Sequence, residues 1–350
     1  MNWHHDGPMT PAVAIIFVSW NSWRHTLECL DSVLGQSHQN FHAFIVDNDS
    51  ADQSVEQIAA WCNRPEAEAC WRRHDGVIRY TDGADVAPIG YRIVDRPAGA
   101  LPPPVEGCRV TLIRSGSNLG FAGGANVGLR SAGPDAFDYF WFLNTDTVVD
   151  RDALAHLVRR ARQDSRIGMV GSTLRYYDRP NVVQTMGGSR KGPEYPQGVF
   201  RHIGEGVNVA NLPEQSAIER ELFYVFGASM LVAASFVRDV GPMSDDYFLY
   251  YEEIDWTMRA GGRFTLAYAA QSHVFHKSGA TSSQAKPGLS THLYYANRVR
   301  FMSRFFPQHL SSVRRRLAAD TLRYVAKGQW AHARIVASVF WNARQIAKAS

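Results

Sequence analysis

The sequence has no CxxC pair and no compact zinc set. Its four cysteines, Cys29, Cys62, Cys70 and Cys108, are scattered. That spacing argues against a disulfide framework or a structural zinc and for reduced thiols in a cytoplasmic protein. The opening "MNWHHDGP" is polar and does not read as the start of an apolar leader. No apolar run reaches the roughly 18 residues that span a bilayer. Neither G-x-G-x-x-G nor G-x-x-x-x-G-K-[ST] occurs, which argues against the common dinucleotide and P-loop phosphate cradles. A strong overall charge is also missing. The net value is +4 over 350 residues.

The small net charge hides an asymmetry. From Leu310 onward there are eight Lys/Arg against one acid, Asp320, so this tail carries +7 and the rest −3. A basic appendage of that kind meets something anionic. Basic residues confined to the tail, with no interleaved RNA-reading motif, argue against a nucleic-acid partner.

The order of elements sets the fold class. "PAVAIIFVSWNS" and "FHAFIVDNDS" are buried strands that end in polar residues. Each is followed by a helical pattern, with Leu27, Leu30, Val33 and Leu34 on one face of the first and Val55, Ile58 and Ala59 on one face of the second. A βαβα beginning implies an α/β fold with a mostly parallel central sheet flanked by helices. Ligands bind beyond the carboxyl ends of such strands, here Ser19–Ser22 and Asp47–Ser50. Residues 64–107 break the rhythm with proline and glycine and hold one strand-like piece, "YRIV". "RVTLI" is the third strand and "YFWFLNTDTVVD" the fourth. Asp150 then suits the N-cap of a helix with Ala153, Leu154, Leu157 and Val158 on one face. Helical patterns dominate the C-terminus. The expected domains are 1–304, with the 64–107 insertion, and a basic helical extension over 305–350.

Several residues can carry chemistry. Asp146, delivered abruptly by a hydrophobic strand together with Asn144, suits a divalent cation that also holds a diphosphate, since Mn2+ and Mg2+ take hard oxygen ligands. His276 in "HVFH" marks the site end of a strand, and its imidazole can ligate Mn2+. The glycines of "NLGFAGGANVG", among them Gly120 and Gly124, allow close backbone approach to a ligand or tight helix–strand packing. Asp47 and Asn48 suit a nucleobase or ribose, or a turn. In "YFLYYEEIDW" three acids, Glu252, Glu253 and Asp255, sit among aromatics. A helix beginning there gains from acids in its first turn. A partly buried acid in that setting also gains a raised pKa suited to taking a proton from a hydroxyl. The neighbouring aromatics, Tyr251 and Trp256, would offer a sugar a stacking face.

In this order "VSWNS", "VDNDS", "NLGFAGGANVG", "LNTD", "YYEEIDW" and "HKSGATS" resemble the family 2 glycosyltransferases of the GT-A fold. The likeness is greatest to the bacterial branch with rhamnosyltransferases and galactofuranosyltransferases of cell-envelope polysaccharides. It runs from about Ala12 to Arg300 and leaves out the insertion and the tail. The resemblance implies an inverting transferase that uses a nucleoside-diphosphate sugar, dTDP- or UDP-linked, and Mn2+ or Mg2+. Ser19, Trp20, Asn21, Asp47 and Asn48 would hold base and ribose, and Asn118, Gly120, Gly124, Asn126 and Asn144 would shape the donor pocket. Asp146 and His276 would hold the metal. Glu253 falls where the family has its base, with Glu252 and Asp255 as alternatives, and Tyr251 and Trp256 would face the acceptor. Two departures stand out. This chain has "E-E-I-D" where the family has "E-D-x-D", and Asn144 replaces the first acid of the D-x-D motif. They keep a metal-independent variant, or a catalytically inactive carbohydrate-binding or scaffold relative, in play. A glycan or lipid-linked acceptor would fit a tail that touches the inner face of the cell membrane. Assembly with a second copy is left open.

Overall fold

The computed structural model describes residues 10–63, 70–74, 77–81, 88–192, 194–277 and 288–348. The first half alternates as the sequence implies: β1 (Val13–Ser19), α1 (Trp23–Leu34), β2 (Phe41–Asp47), α2 (Ser54–Cys62). Both strands are almost wholly buried. Helices cover both faces of such strands, so their apolar runs do not alternate. A hairpin, β3 (Cys70–His74) with β4 (Val77–Thr81), precedes β5 (Gly90–Asp95) and β6 (Cys108–Arg114). The "YRIV" piece is therefore β5. It pairs in parallel with β6 and extends the main sheet by one edge strand.

The next elements are α3 (Gly120–Ala132), β7 (Tyr139–Leu143), β8 (Thr147–Val149), α4 (Ala153–Ala161), β9 (Ile167–Tyr176) and β10 (Val183–Thr185). A short pair, β11 (Gly188–Ser189) with β12 (Arg201–His202), leads to α5 (Gln215–Glu221), β13 (Ser229–Ala233), α6 (Ala234–Val240), α7 (Glu252–Arg259) and β14 (Thr265–His276). The main sheet runs β5-β6-β2-β1-β7-β13-β9-β14-β8, with β10 on β9. It is parallel from β5 to β7, and β13 then enters antiparallel between β7 and β9.

Two readings of the sequence need correction here. "YFWFLNTDTVVD" is not one strand. It breaks at Asn144–Asp146, and β8 crosses to pair antiparallel with β14. Asp150 is not the N-cap of α4. Asp152 holds that position, and Asp150 makes the turn before it, accepting from Ala153 N at 2.9 Å through its carbonyl. The apolar face expected for this helix is buried as foreseen.

Helices α8 (Leu289–Phe305), α9 (Leu310–Ala326) and α10 (Trp330–Lys348) close the chain. They share one apolar cluster with Tyr247, Tyr251 and Ile254, so the basic extension is packed onto the rest of the protein.

The glycine-rich helix α3 lies against β1. A Cβ on Gly124 would stand 2.7 Å from Val18 Cγ1, closer than packed atoms allow. Gly120 is more constrained. Its φ is +70°, and a Cβ there would meet Phe248 O at 2.2 Å. Gly120→Ala should therefore cost roughly 2–5 kcal/mol, from left-handed backbone and overpacking together. A urea midpoint shifted to match, at unchanged slope, would bear this out; an unshifted midpoint would refute it.

Candidate active site

The loops after β1, β2 and β7 meet at one end of the sheet. They are laced together by backbone and short polar side chains. Asn48 N donates to Ser19 O at 2.7 Å, Asn21 N to Ser50 Oγ at 2.9 Å, and Ala51 N to Asn21 Oδ1 at 2.8 Å. Asn21 and Asp49 adopt φ of +48° and +66°. Left-handed backbone at non-glycine residues persists only where surroundings hold it, and it collects at functional sites.

This lacing corrects part of the expected nucleotide set. Ser19 is fully buried, with its hydroxyl engaged by Thr26 at 3.0 Å and Ser22 at 3.4 Å, so its side chain braces the start of α1. Asn48 is likewise buried. Its Nδ2 donates to Asn118 Oδ1 and Gly120 O, both at 3.1 Å, and its Oδ1 accepts from Leu119 N at 3.0 Å, tying β2 to α3. Asn126 is buried too. It clips the segment before α7 through Met243 N and O and Asp245 Oδ1. The side chains of all three are engaged by these structural partners, and Gly124 is a packing glycine against Val18. Trp20, Asn21, Asn118 and Asn144 are partly exposed on the same rim. Asp47 differs from its neighbours. Its Oδ2 accepts from Ser50 N at 3.3 Å, but its buried Oδ1 has no partner among the described residues. Burial pushes its pKa up. A buried acceptor with nothing to accept is what a ligand's N–H or O–H would satisfy.

Asp146 and His276 are brought together by register. His276 pairs with Thr147 across β14 and β8, and Lys277 N donates to Asp146 O at 2.9 Å. His276 Nε2 then lies 3.3 Å from Asp146 Oδ1, both groups buried. On the other side, Gln184 Oε1 faces His276 Nδ1 at 2.8 Å. A proton on Nδ1 leaves the Nε2 lone pair of a neutral ring aimed at a carboxylate. Two electron-rich atoms in that position need a proton or a cation between them. Burial works to raise the Asp146 pKa, yet the His276 hydrogen bond and charge outweigh it and the carboxyl lies below its ordinary value. An imidazole nitrogen and a carboxylate oxygen fit Mn2+ or Mg2+ as a partial set, with phosphate oxygens completing it. Among the described residues no third His, Cys, Asp or Glu joins them. Residues 278–287, most of the "HKSGATS" motif, lie outside the described residues.

Behind this pair sits a group the sequence did not single out. Lys277 Nζ contacts Glu28 and lies 3.0 Å from His25 Nδ1, while Tyr177 OH donates to Glu28 Oε1 at 2.6 Å. Gln184 was missed as well, since it comes from β10, 92 residues before His276. Lys277 follows His276 directly, so its proximity was readable, but its partners on α1 were not.

The acids of α7 divide into structural and unpaired ones. Asp255 is fully buried and held by Arg259 at 2.8 Å and Arg304 at 3.0 Å, so its carboxylate anchors α7 to α8 and faces arginines, not open space. Trp256 is also fully buried, its Nε1 donating to Gly241 O at 2.8 Å and its ring set against Phe142 and Phe236. Tyr251 is buried with its hydroxyl donating to Gly198 O at 2.7 Å. Neither ring has a free face for an acceptor. By contrast, Glu252 Oε2 and Glu253 Oε2 are buried without partners among the described residues. Burial pushes the Glu253 pKa up to about 7. It raises Glu252 further, helped by the charge of Glu253. The two glutamates enter over Tyr250 and Tyr251, at φ of +71° and +75°, and Asn297 Nδ2 holds this strained turn through Leu249 O at 2.9 Å. Glu253 Oε1 faces Gly227, where an added Cβ would come within 3.8 Å. The next residue, Ala228, accepts from Asn144 N at 3.1 Å, which links Glu253 to the Asp146 turn. An open pocket of about 460 Å³ has Phe200, Arg201, His202 and Glu205 in its wall; Phe200 packs on Tyr251 and His202 on Phe226.

Residues 14–79 and 98–221 match the family described as Glycosyl transferase family 2. The chain belongs to that family. The break in the family match, 80–97, falls inside the expected insertion. A curated relative, the low-salt glycan biosynthesis hexosyltransferase Agl10 of Haloferax volcanii, is 25% identical over 150 residues, which are 42% of this chain and 45% of that protein. The match thus spans less than half of the relative. Among solved structures, the mannosyltransferase PcManGT of Pyrobaculum calidifontis, in complex with GDP-Man and Mn2+, has 14% identity and a TM-score of 0.52, covering 95% of this chain and 87% of its own. S. aureus TarS 1–349 in complex with UDP-GlcNAc has 14% identity and a TM-score of 0.52, with 96% and 88% covered. At such identities these structures establish the α/β fold of this family 2 chain and no more.

The buried glutamates of this family 2 domain have a stability signature. A carboxyl raised by burial binds its proton more tightly when folded. Its contribution is fully present below the unfolded pKa, about 4.3, and is lost as pH rises through the folded value. Glu252→Gln removes that loss. The variant should melt at least roughly 2 °C above the parent at pH 8 and level with it at pH 4.5. Equal melting at both pH values would show that Glu252 is not desolvated.

Proposed function

We propose that this family 2 glycosyltransferase is an inverting enzyme. It moves a sugar, rhamnose or another deoxy or furanose sugar, from a dTDP- or UDP-linked donor to a hydroxyl of a cell-envelope glycan or lipid-linked acceptor. The observation that carries the reading is a buried imidazole–carboxylate pair whose turn is tied, through Asn144 and Ala228, to the segment facing Glu253, an acid that burial pushes up to about 7 and whose Oε2 has no partner among the described residues. The proposed setting is the cytoplasm, at the inner face of the membrane. Among the described residues no helix is long and apolar enough to cross a membrane.

Each residue has a proposed part. Asp47 Oδ1 accepts from the base or ribose, and the Trp20–Asn21 and Asn118 rims flank the nucleotide. Asp146 and His276 would hold Mn2+ or Mg2+, with Gln184 orienting the imidazole. A bound divalent cation supplies Lewis-acid stabilisation to the leaving diphosphate. Glu253 takes the proton from the acceptor hydroxyl, whose oxygen attacks the anomeric carbon from the face opposite the departing diphosphate. Direct displacement inverts the anomeric centre. Glu252 sits beside it, its pKa pushed well above the ordinary value by burial and by the charge of Glu253. The 460 Å³ cavity next to Phe200 and His202 takes the place of Tyr251 and Trp256 as the acceptor side.

The test is turnover of a panel of nucleotide sugars by the parent and by Glu253→Gln. The substitution should lower kcat about 10²–10⁴-fold with donor affinity kept. Glu253 acts only when ionised, so kcat/KM of the parent should fall as pH drops below about 7. Unchanged turnover in Glu253→Gln would remove the assigned base. A parent that bound donors but never transferred would be the inactive relative instead.

A further inference from the structure

The basic extension packs one face of α10 inward and leaves the other bare. Ala333, Val336, Val339 and Ala343 are buried, and they recur at helical spacing. On the opposite side Trp330, Arg334, Trp341, Arg344 and Lys348 follow one another at intervals of four, seven, three and four residues, which at 3.6 residues per turn form one stripe. All five are exposed. Trp330 is 61% and Trp341 77% accessible, the latter braced edge-on against Phe340. The neighbouring α9 adds Leu322, 69% accessible. These three are half of the six exposed large hydrophobics among the described residues. The helix itself contains no acid.

Two bare indoles on a helix cost free energy in water unless something covers them. The covering partner must suit both aromatic bodies with polar N–H tips and a row of cations. We propose that the outer face of α10, Trp330–Arg334–Trp341–Arg344–Lys348, is a docking surface for an anionic lipid bilayer, lying in the interface plane. Indoles settle at the headgroup level, and each Lys or Arg gains from the negative surface potential. A second copy of the chain is a poorer occupant. A two-fold contact through this stripe would set Arg334, Arg344 and Lys348 against their own kind. The inward apolar face is already used by α8 and α9, so the helix lies on the membrane and does not enter it as a span. This inference stands on the helix alone and does not depend on the assigned reaction.

Flotation of the full chain with phosphatidylcholine vesicles, with and without 30 mol% phosphatidylglycerol, tests it. The parent should float with anionic vesicles and stay behind with neutral ones, and release should follow added salt. Trp330→Ser/Trp341→Ser and, separately, Arg334→Glu/Arg344→Glu/Lys348→Glu should each weaken binding at least about tenfold. Melting temperatures should stay unchanged, since all five side chains face solvent. Failure of the parent to float, equal binding to neutral vesicles, or full binding by both variants overturns the proposal. So does a dimer in sedimentation that the Trp330→Ser/Trp341→Ser variant abolishes, because the stripe would then be a self-contact.

Discussion

The pairing of β8 with β14 is the constraint on which the site depends. Only three residues of β8 engage, yet they hold Asp146 beside His276 and bring the chain back toward α1. The turn before them is pinned from several sides. Asn144 N is held by Ala228 O of the β13 entry, and Thr147 Oγ1 closes on Asn144 O at 2.7 Å. Antiparallel β13, inserted between β7 and β9, carries Gly227 and Ala228 to the same place and so sets the acid of α7 against it. A one-residue slip of β8 would turn Asp146 away from the imidazole, since successive side chains point to opposite faces. The buried partners make that slip costly.

Buried acids in this protein fall into two groups by their partners. Asp255 has two arginines, and Asp320 is approached by Arg298, Arg316 and Arg323. These pairs fasten α7, α8 and α9 to one another, and breaking one would strand a charge. Asp47, Glu252 and Glu253 have oxygen atoms buried without partners among the described residues, and carboxyls pushed up by desolvation. A fold gains no stability from leaving such atoms unsatisfied, which is why they concentrate at sites of chemistry. Asp146 stands between the groups. It has a partner, but one that also prefers a cation.

Much of this was legible in the sequence. Apolar runs ending in polar clusters located β1, β2 and β7, and the spacing of Leu154, Leu157 and Val158 located α4. The acids of "EEID" were readable as a helix start. The division of labour among them was not, because Arg304 lies 49 residues away and Gln184 lies 92 residues from His276. Local periodicity has no access to such partners. The same limit explains Asn126 and Trp256. Both look like ligand contacts by residue type, yet they are consumed by the segment around Gly241 and Met243. Strand β5 was legible as a strand, but its place at the sheet edge depends on a parallel crossover that turn chemistry does not specify.

Asp146 and His276 are proposed to form a cation seat completed by a nucleoside diphosphate. Mn2+ binding followed by electron paramagnetic resonance tests it most directly, with the protein titrated alone and with UDP, dTDP, GDP and CDP in turn. The account predicts weak Mn2+ uptake alone, tightened by one nucleoside diphosphate, and loss of that tightening in Asp146→Asn and His276→Ala. Uptake that no nucleotide changes, or that survives both substitutions, would contradict it.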